Sequence, residues 1–237
     1  MNYDCGFIKE NIWFRYRAAA IIIEKDHVLF AGNERENYYF KERCYMENNK
    51  KFETKRLILR EFSHADFEDV HAYASNLENI KYMIWGPNSE EDTIEFLDDC
   101  ISNIDKNPRT QYDFAITLKE NGKVIGGCGI YLNNELYEGM LGWVLHKDYW
   151  KQGYMTEAGK ELLRFAFEDL KLHRLYATCD AENYGSYRVM ENLGMRREGH
   201  IIKNRKFTGF KDEWHDELFY GILYEEWIKK KQSHKEK

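Results

Sequence analysis

The sequence predicts a mixed α/β fold of the α+β kind, in which a mostly antiparallel, twisted sheet is flanked by helices. Three strand-like runs follow one another at 112–118, 123–132 and 136–146, and the short turns between them favour an antiparallel meander. A helical pattern at 157–170 and a short strand at 174–179 come next, and this order predicts a parallel pair of strands beside the meander. A short N-terminal β-hairpin segment is expected ahead of this sheet.

The first fifty residues are predicted to be a segment separate from the main domain. Apolar runs within 17–24 and 27–31 flank a Lys25-Asp26 turn, which predicts a hairpin. Because a lone hairpin is marginal in water, its isoleucines need another surface to pack on, such as a sheet edge or a homodimer interface. Residues 41–53 are polar and charged, and we expect them to be a linker.

Start and stop signals locate the elements of the main domain, which we expect to span residues 51–230. A helical pattern begins at Phe67, and Ser89 with Asp92 resembles a capping box at the start of a second helix. Asn183 is the expected N-cap of a later helix that stops at Gly194. The remaining strands are expected at 56–62, 197–206 and 214–223, and a charged tail is expected at 231–237.

Composition narrows the classes of function. The 237 residues are 43% hydrophobic and 16% aromatic, enough for a packed core, and the net charge of -6 gives no reason to expect a nucleic-acid partner. The longest early apolar run, 18–23, is too short to span a bilayer. Five scattered cysteines without a secretory signal indicate reduced thiols in a cytoplasm. We expect no metal site, because no His-x-x-x-His pair or calcium-type carboxylate loop is present.

The segment 149–158 has the features of an anion site at the start of a helix. A strand ends just before it and a helix begins just after it, so unpaired backbone N–H groups and roughly half a positive charge meet there. Gly153 lets a ligand approach the backbone closely. We therefore expect a phosphate or pyrophosphate to bind mainly to the backbone of Lys151, Gln152, Gly153, Tyr154, Met155 and Thr156.

Further motifs are spread over residues 54–228. They are the runs 54–60, 85–87, 141–145 and 150–158, Asn183-x-x-Ser186 with 191–195, and Asp216-Glu217-Leu218-x-Tyr220. Together they resemble the GNAT acetyltransferase superfamily, in the branch that includes the ribosomal-protein N-terminal acetyltransferases of the RimJ/RimL type. The resemblance covers about three quarters of the chain and implies an N-acetyltransferase that uses acetyl-CoA as its co-substrate.

The resemblance also implies where acetyl-CoA binds. In this superfamily the loop before the helix binds the pyrophosphate, which agrees with the anion site inferred from the residues. The strand before that loop pairs its backbone with the pantetheine arm, and this role falls here on Trp143, Val144 and Leu145. Asn183 and Ser186, about one turn apart on one helix face, are implied to contact the cofactor near its thiol.

The expected reaction is direct transfer in a ternary complex, since Cys128 and Cys179 lie in strands that are predicted to be buried. Many family members protonate the leaving thiolate with a tyrosine, but this chain has Met190 at that position. Ser186 is our candidate for the acid, and Tyr184 and Tyr187 are alternatives. A strand N–H group near residues 144–145 could stabilise the charge that forms on the carbonyl oxygen.

The attacking amine must be neutral, so a group has to accept its proton. Family members often place a glutamate on the strand before the loop, and here Met140 stands at that position. Glu138, two residues earlier and therefore on the same strand face, is our candidate for the proton acceptor, and Glu135 is an alternative.

The beginning of the chain shows a second, shorter resemblance. The apolar residues at 14–23, 28–30 and 38–40 resemble the opening strands of a Nudix hydrolase. Residues 41–50 contain neither the glycine turn nor the glutamate pattern that would bind a metal in that family. We expect a truncated Nudix-like segment over residues 1–50 without pyrophosphohydrolase activity, and an ordinary β extension is the alternative.

The predicted function is therefore acetyl-CoA-dependent acetylation of a primary amine on a small molecule or peptide. We expect no nucleic-acid partner and no membrane association, and a homodimer is among the expected assemblies. The alternative is a non-catalytic acyl-CoA-binding sensor, because Met190 and Met140 stand where the family often has an acid and a base.

Overall fold

The computed structural model describes residues 5–9, 12–16, 20–24, 27–31, 50–133, 135–210 and 212–233, with side chains for 50–133, 135–210 and 212–232. The chain divides into two compact units, 1–47 and 48–237. No helix in the described ranges is long and apolar enough to cross a membrane.

The first unit contains two antiparallel strand pairs. Strand β1 (Cys5–Lys9) pairs with β2 (Ile12–Tyr16), and β3 (Ala20–Glu24) pairs with β4 (His27–Ala31). The β3–β4 pair is the hairpin that the sequence predicts, whereas β1–β2 was not predicted. The expected linker from 41 to 49, and the apolar residues 38–40 of the Nudix resemblance, lie outside the described residues.

The second unit is built on an eight-stranded sheet with the order β11-β12-β10-β9-β8-β7-β6-β5. Its strands are β5 (Lys51–Glu53), β6 (Leu57–Glu61), β7 (Gln111–Leu118), β8 (Val124–Leu132), β9 (Glu138–Leu145), β10 (Arg174–Asp180), β11 (Arg196–Arg205) and β12 (His215–Leu223). Every neighbouring pair is antiparallel except β9–β10, which is parallel. This confirms the predicted mixed, mostly antiparallel sheet.

One strand was missed because its residues are polar. Residues 51–53 were assigned to the linker, but they form the edge strand β5, which pairs with β6. An edge strand is held by backbone hydrogen bonds, so it needs few apolar side chains. Phe52 alone supplies the packing, with its ring centroid 4.9 Å from that of Phe165.

The helices of this unit are α1 (Phe67–Ala74), α2 (Leu77–Ile80), α3 (Glu90–Ile104), α4 (Tyr154–Arg164), α5 (Tyr184–Asn192) and α6 (Tyr224–Ser233). The capping box at α3 is present, since the Asp92 N–H donates to Ser89 Oγ at 3.1 Å and the Ser89 N–H donates to Asp92 Oδ2 at 2.8 Å. The predicted charged tail is helical up to Ser233, and residues 234–237 lie outside the described ranges.

The helices pack on both faces of the sheet. On one face, Leu162 of α4 and Phe165 of the π-helical turn that follows it share a buried cluster with Phe114 of β7. On the other face, Leu97 of α3 packs in a second cluster with Ala115. Phe114 and Ala115 are neighbours in sequence and face opposite sides, as the pleat of a strand requires.

The two parallel strands separate part of the way along their length. Strands β9 and β10 pair only where 138–140 lie beside 174–176. Beyond that point β9 stays with β8 as far as Leu145, while β10 stays with β12 as far as Asp180. Each strand therefore has an edge without a strand partner, and the two edges face the gap between the strands. The candidate site lies at this gap.

Candidate active site

A cavity of about 710 Å³ opens where β9 and β10 separate. It is bounded by the end of β9, the start of α4, the start of α5 and three residues of the segment 79–83. Ten of the eleven residues predicted to contact the cofactor line it, namely Trp143, Val144, Leu145, Lys151, Gly153, Tyr154, Met155, Thr156, Asn183 and Ser186. The tertiary structure thus brings three separate sequence motifs to one cavity.

The start of α4 presents backbone donors to this cavity. Gly153 is the N-cap, with φ at +78°, a conformation that glycine adopts without steric cost. Residues 154–156 form the first turn of the helix, so their N–H groups have no intrahelical acceptor. Lys151 also has a positive φ, +57°. This tight turn exposes N–H groups at the positive end of a helix dipole, which is the geometry that binds phosphate oxygens.

Arg56 holds this loop in place from a distant part of the sequence. Its side-chain Nε donates to Glu157 Oε2 at 2.7 Å, and its Nη1 donates to the Gln152 carbonyl at 3.0 Å. Its guanidinium carbon also lies 4.0 Å from the centroid of the Tyr154 ring. Thr54 Oγ1 adds a hydrogen bond to Glu157 Oε1 at 2.6 Å. No local pattern indicates this role, because the partners are about a hundred positions apart in the sequence.

The charge on Glu157 is stabilised by these contacts. Partial burial raises the pKa of this carboxyl, but the hydrogen bonds from Thr54 and Arg56 outweigh it and the pKa is lowered overall. Glu157 therefore stays ionised and keeps its pairing with Arg56 when the solution becomes mildly acidic.

Gln152 does not line the cavity, in contrast to the prediction. Its carbonyl accepts from Arg56, and its side-chain amide donates to the Asp148 carbonyl at 2.8 Å. The positive φ values on both sides of Gln152 turn it outward. It shapes the loop and does not face the space where the cofactor would lie.

The end of β9 is fixed by two side chains that the sequence did not single out. The Leu145 carbonyl accepts from Trp150 Nε1 at 2.7 Å and from Asn79 Nδ2 at 2.9 Å. Asn79 also accepts the Lys147 N–H at 3.1 Å. Because the Leu145 carbonyl is already engaged, backbone pairing with a ligand along this edge falls to Trp143 and Val144.

The start of α5 contributes Asn183 and Ser186. The Asn183 side-chain oxygen accepts the Ser186 N–H at 3.1 Å, so Asn183 is the N-cap, as predicted. The Ser186 side chain is hydrogen-bonded to Cys179, and burial raises the pKa of that thiol to about 12. Cys128 is also buried, and burial raises the pKa of its thiol as well. Both thiols are therefore protonated near neutral pH, which is consistent with transfer that needs no cysteine nucleophile.

Two methionines near the site have side chains that are buried in the core. Met190 is fully buried and does not line the cavity, so its identity says nothing about the acid in the site. Met155 borders the cavity, yet its side chain is buried in the main core cluster. It therefore packs beneath the loop and does not crowd the backbone amides.

Glu138, the predicted proton acceptor, does not reach the cavity. It lies at the first position of β9, where β9 is still paired with β10, and its Oε1 accepts from Arg174 Nε at 3.0 Å. Arg174 also binds Glu198. Glu138 thus belongs to an ion-pair group at the start of the strand, and it is not among the residues that line the cavity. The sequence did not indicate this pairing, because Arg174 is brought beside Glu138 only when β9 and β10 pair.

The other end of the cavity holds polar and aromatic groups that the sequence did not identify. Glu182 and Tyr82 line it. Behind Glu182, His215 Nδ1 lies 2.9 Å from Oδ2 of the fully buried Asp180. The β11–β12 loop closes this end, since the Thr208 N–H donates to the Met83 carbonyl at 2.8 Å. No local signal links these residues, because they come from three separated segments.

Comparisons with known proteins agree with this architecture. A family model described as "Acetyltransferase (GNAT) domain" matches residues 56–196. The "Uncharacterized N-acetyltransferase YnaD" of Bacillus subtilis (strain 168) is 38% identical over 176 residues, which cover 73% of this chain and 97% of that protein. A crystal structure of a GNAT-family acetyltransferase from Bacillus anthracis is 35% identical, with a TM-score of 0.66, and the match covers 75% of this chain and 100% of that one.

A structure of RimL, the ribosomal L7/L12 alpha-N-protein acetyltransferase in complex with coenzyme A, shares the fold at 16% identity. Its TM-score is 0.65, and the match covers 73% of this chain and 98% of that one. The family match begins at residue 56, and these comparisons give no support to a Nudix-like start of the chain. Because the family model matches more than half of the sequence, the chain belongs to the GNAT acetyltransferase family and is an N-acetyltransferase.

Proposed function

We propose that this chain transfers the acetyl group of acetyl-CoA directly to a primary amine, within a ternary complex. The observation that carries the proposal is the convergence of a helix start, an unpaired strand edge and a helix N-cap on one cavity of about 710 Å³. A cavity of this size is typical of sites for cofactor-sized ligands.

The cofactor end of the cavity fits acetyl-CoA. The N–H groups of residues 154–156 would hold the pyrophosphate, and the open edge of β9 at Trp143 and Val144 would pair with the amides of the pantetheine arm. Asn183 and Ser186 lie on the opposite wall, where the thioester end would come to rest. The fit rests on the donors of the loop and on the gap between the strands.

The chain would assist the reaction by positioning and by proton transfer. Ser186 is the proposed donor of a proton to the leaving thiolate, and Tyr184, which also lines the cavity, is the alternative. Backbone N–H groups at the end of β9 are the proposed donors to the carbonyl oxygen. Holding the amine beside the thioester supplies the remaining rate enhancement.

The acceptor is proposed to be a primary amine on a small molecule or a peptide. RimL, which shares this fold, is named as an alpha-N-protein acetyltransferase. This supports including N-terminal peptides among the candidates, beside polyamines, aminoglycosides and small amino metabolites.

The test combines binding and turnover on the full chain. We expect calorimetry to show binding of acetyl-CoA at one site, and a thiol-release assay over a panel of these amines to show turnover with at least one class. Free CoA is the control, since it should bind without releasing further thiol. Binding without turnover on any amine would instead indicate an acyl-CoA-binding protein, and absence of binding would overturn the proposal.

A further inference from the structure

We propose that His215 takes up the proton of the acceptor amine through Glu182, which lines the cavity wall and binds the ammonium group, while Asp180 faces the imidazole. This inference rests on the proposed function and deepens it. It assigns the proton acceptor that the family pattern places on β9 to a different part of the sheet.

Asp180 is placed to hold both partners. It ends β10 and is fully buried, and its Oδ1 accepts the Glu182 N–H at 2.6 Å. Its Oδ2 lies 2.9 Å from His215 Nδ1. One carboxylate therefore fixes the turn that carries Glu182 into the cavity wall and also faces one nitrogen of the imidazole. This oxygen has no hydrogen-bond partner among the described residues, so its contact with the imidazole is one of proximity and charge.

His215 lies immediately behind the cavity wall. Its ring centroid is 3.9 Å from that of Phe210, and the Phe210 centroid is 5.4 Å from that of Tyr82, which lines the cavity. Glu182 also lines the cavity. One of its carboxylate oxygens lies within 4.8 Å of an imidazole nitrogen of His215 and of a carboxylate oxygen of Asp180. The His215 side chain keeps 12% of its surface exposed, so a proton taken there has a way to solvent.

The charged groups around His215 favour a cation at this end. Asp180 and Glu182 face it from the end of β10 and the turn after it, while Asp216, beside it on β12, pairs with His200. Arg205 lies opposite it on β11 and pairs with Glu217, and Lys81 lies on the packed segment with Nζ 4.8 Å from the centroid of the Phe210 ring. Because Arg205 is already paired, the two carboxylates beside the imidazole would attract an amine that arrives protonated.

The proton balance requires such a group. The ammonium gives one proton to Glu182, which passes it to His215, and the resulting neutral nitrogen attacks the thioester carbonyl carbon. A C–N bond forms, the C–S bond breaks, and the thiolate takes a proton from Ser186 to leave as free thiol. The second proton on nitrogen is lost as the amide forms and restores the Ser186 hydroxyl, so one net proton leaves through His215 to solvent.

A matched pair elsewhere on the sheet provides the control. His200 Nε2 lies 2.8 Å from Asp216 Oδ2, but these side chains are 44% and 33% exposed and neither lines the cavity. This second His–Asp pair has the same side chains but does not lie at the cavity. A His200→Gln substitution should leave kcat, its pH profile and acetyl-CoA affinity unchanged.

The test uses kinetics with the best amine of the panel. We expect His215→Gln to lower kcat by about 10²-fold or more and to remove the acidic limb of the pH–rate profile, with the Kd for acetyl-CoA unchanged. Asp180→Asn should act in the same direction, because its Oδ1 can still accept the Glu182 N–H while the negative charge beside the imidazole is lost. Asp180 is a positioning residue, and the altered pH profile separates that role from loss of fold.

Glu182 is exposed, so Glu182→Gln can be measured even if thermal melts show that His215→Gln and Asp180→Asn are unfolded. We expect it to lower kcat in the same direction as His215→Gln and to raise the KM for the amine about 5-fold to 10-fold, with little change in acetyl-CoA affinity. If the wild type is active, an unchanged kcat and pH profile in His215→Gln would overturn this inference alone. An unchanged amine KM in Glu182→Gln would do the same. Loss of activity on dialysis against EDTA, restored by Zn²⁺, would replace it with a metal site. A wild type inactive on every amine would overturn both proposals.

Discussion

The two ends of the cavity are built from different kinds of group. At the cofactor end, the start of α4 presents backbone N–H groups, and Arg56 and Glu157 brace the loop from outside. At the acceptor end, the groups are the side chains of Asp180, Glu182 and His215. Every residue has a backbone N–H, so the first end depends on conformation, whereas the second depends on residue identity.

This difference explains why the sequence predicts one end and gives no sign of the other. A strand, a glycine and a helical pattern in succession predict the loop conformation from neighbouring residues. Asp180 and His215 are brought together only because β10 pairs with β12 as far as Asp180 and Glu217, which leaves His215 just beyond the last pair. The comparison also predicts that the two ends respond differently to substitution, and the experiments below test that contrast from the largest expected effect to the smallest.

Ser186→Ala should have the largest effect, because it removes a side chain that no backbone group replaces. If Ser186 protonates the thiolate, kcat should fall by about 10²-fold, the lower end for general acid catalysis, since a thiolate is a good leaving group. Acetyl-CoA affinity, measured by calorimetry, should change little. An unchanged kcat would transfer the role to Tyr184, and Tyr184→Phe is the variant to measure next.

Gly153→Val tests the cofactor end through its conformation. A β-branched residue at a φ of +78° is strained by about 1–3 kcal/mol, so the loop should relax away from the binding geometry. We expect the Kd for acetyl-CoA to rise roughly 10-fold to 100-fold. Gly122→Val is the control, because Gly122 has a φ of +75° in a turn far from the cavity. Equal acetyl-CoA affinity in the two variants would contradict a backbone-built site.

Arg56→Gln tests the brace of the loop. Arg56 is partly exposed, so solvent screening reduces the stability of its pair with Glu157 to about 1 kcal/mol, which corresponds to a Tm lower by roughly 2–4 °C. Acetyl-CoA affinity should fall about 5-fold to 10-fold, because the loop is no longer held. Arg60→Gln is the matched control on β6, the strand that follows Arg56, where Arg60 binds Asp66. It should lower Tm without changing the affinity.

The pH dependence of the same brace follows from the lowered pKa of Glu157. The folded-state pKa lies below the unfolded value, so the pairing stabilises the fold fully above the ordinary pKa of about 4.5 and is lost as the pH falls through the folded value. Urea unfolding should show wild type more stable than Glu157→Gln at pH 7, with the gap closing below pH ~4. Glu161→Gln, which removes a pair within α4, is the control for acetyl-CoA binding.

Lys151→Ala should have the smallest effect of the series. Lys151 is exposed and lines the cavity, but the site is formed by N–H groups that alanine also has. We expect the Kd for acetyl-CoA to rise by no more than about 3-fold, from the loss of a screened surface charge. A change of 10-fold or more would show that the lysine side chain contributes as much as the backbone, and would weaken the contrast between the two ends.

The sequence by itself determined the fold class and the order of the elements of the main domain, and it predicted the loop at the start of α4 as the place where the cofactor would bind. These depend on local patterns: hydrophobic periodicity, the capping residues Ser89 and Asn183, and a glycine before a helix. Segments with few apolar residues, such as β5, were not predicted. They are held by backbone hydrogen bonds, which do not require a particular residue composition.

Only the tertiary structure decided which polar side chains meet. It placed Glu138 in an ion pair with Arg174, away from the cavity, and turned Met190 into the core. It brought Arg56 to the loop of α4, and His215 to Asp180. These outcomes depend on strand register and on the separation of β9 from β10, which are fixed by packing between distant segments. A side chain's neighbours across the sheet are not encoded in the residues beside it in sequence.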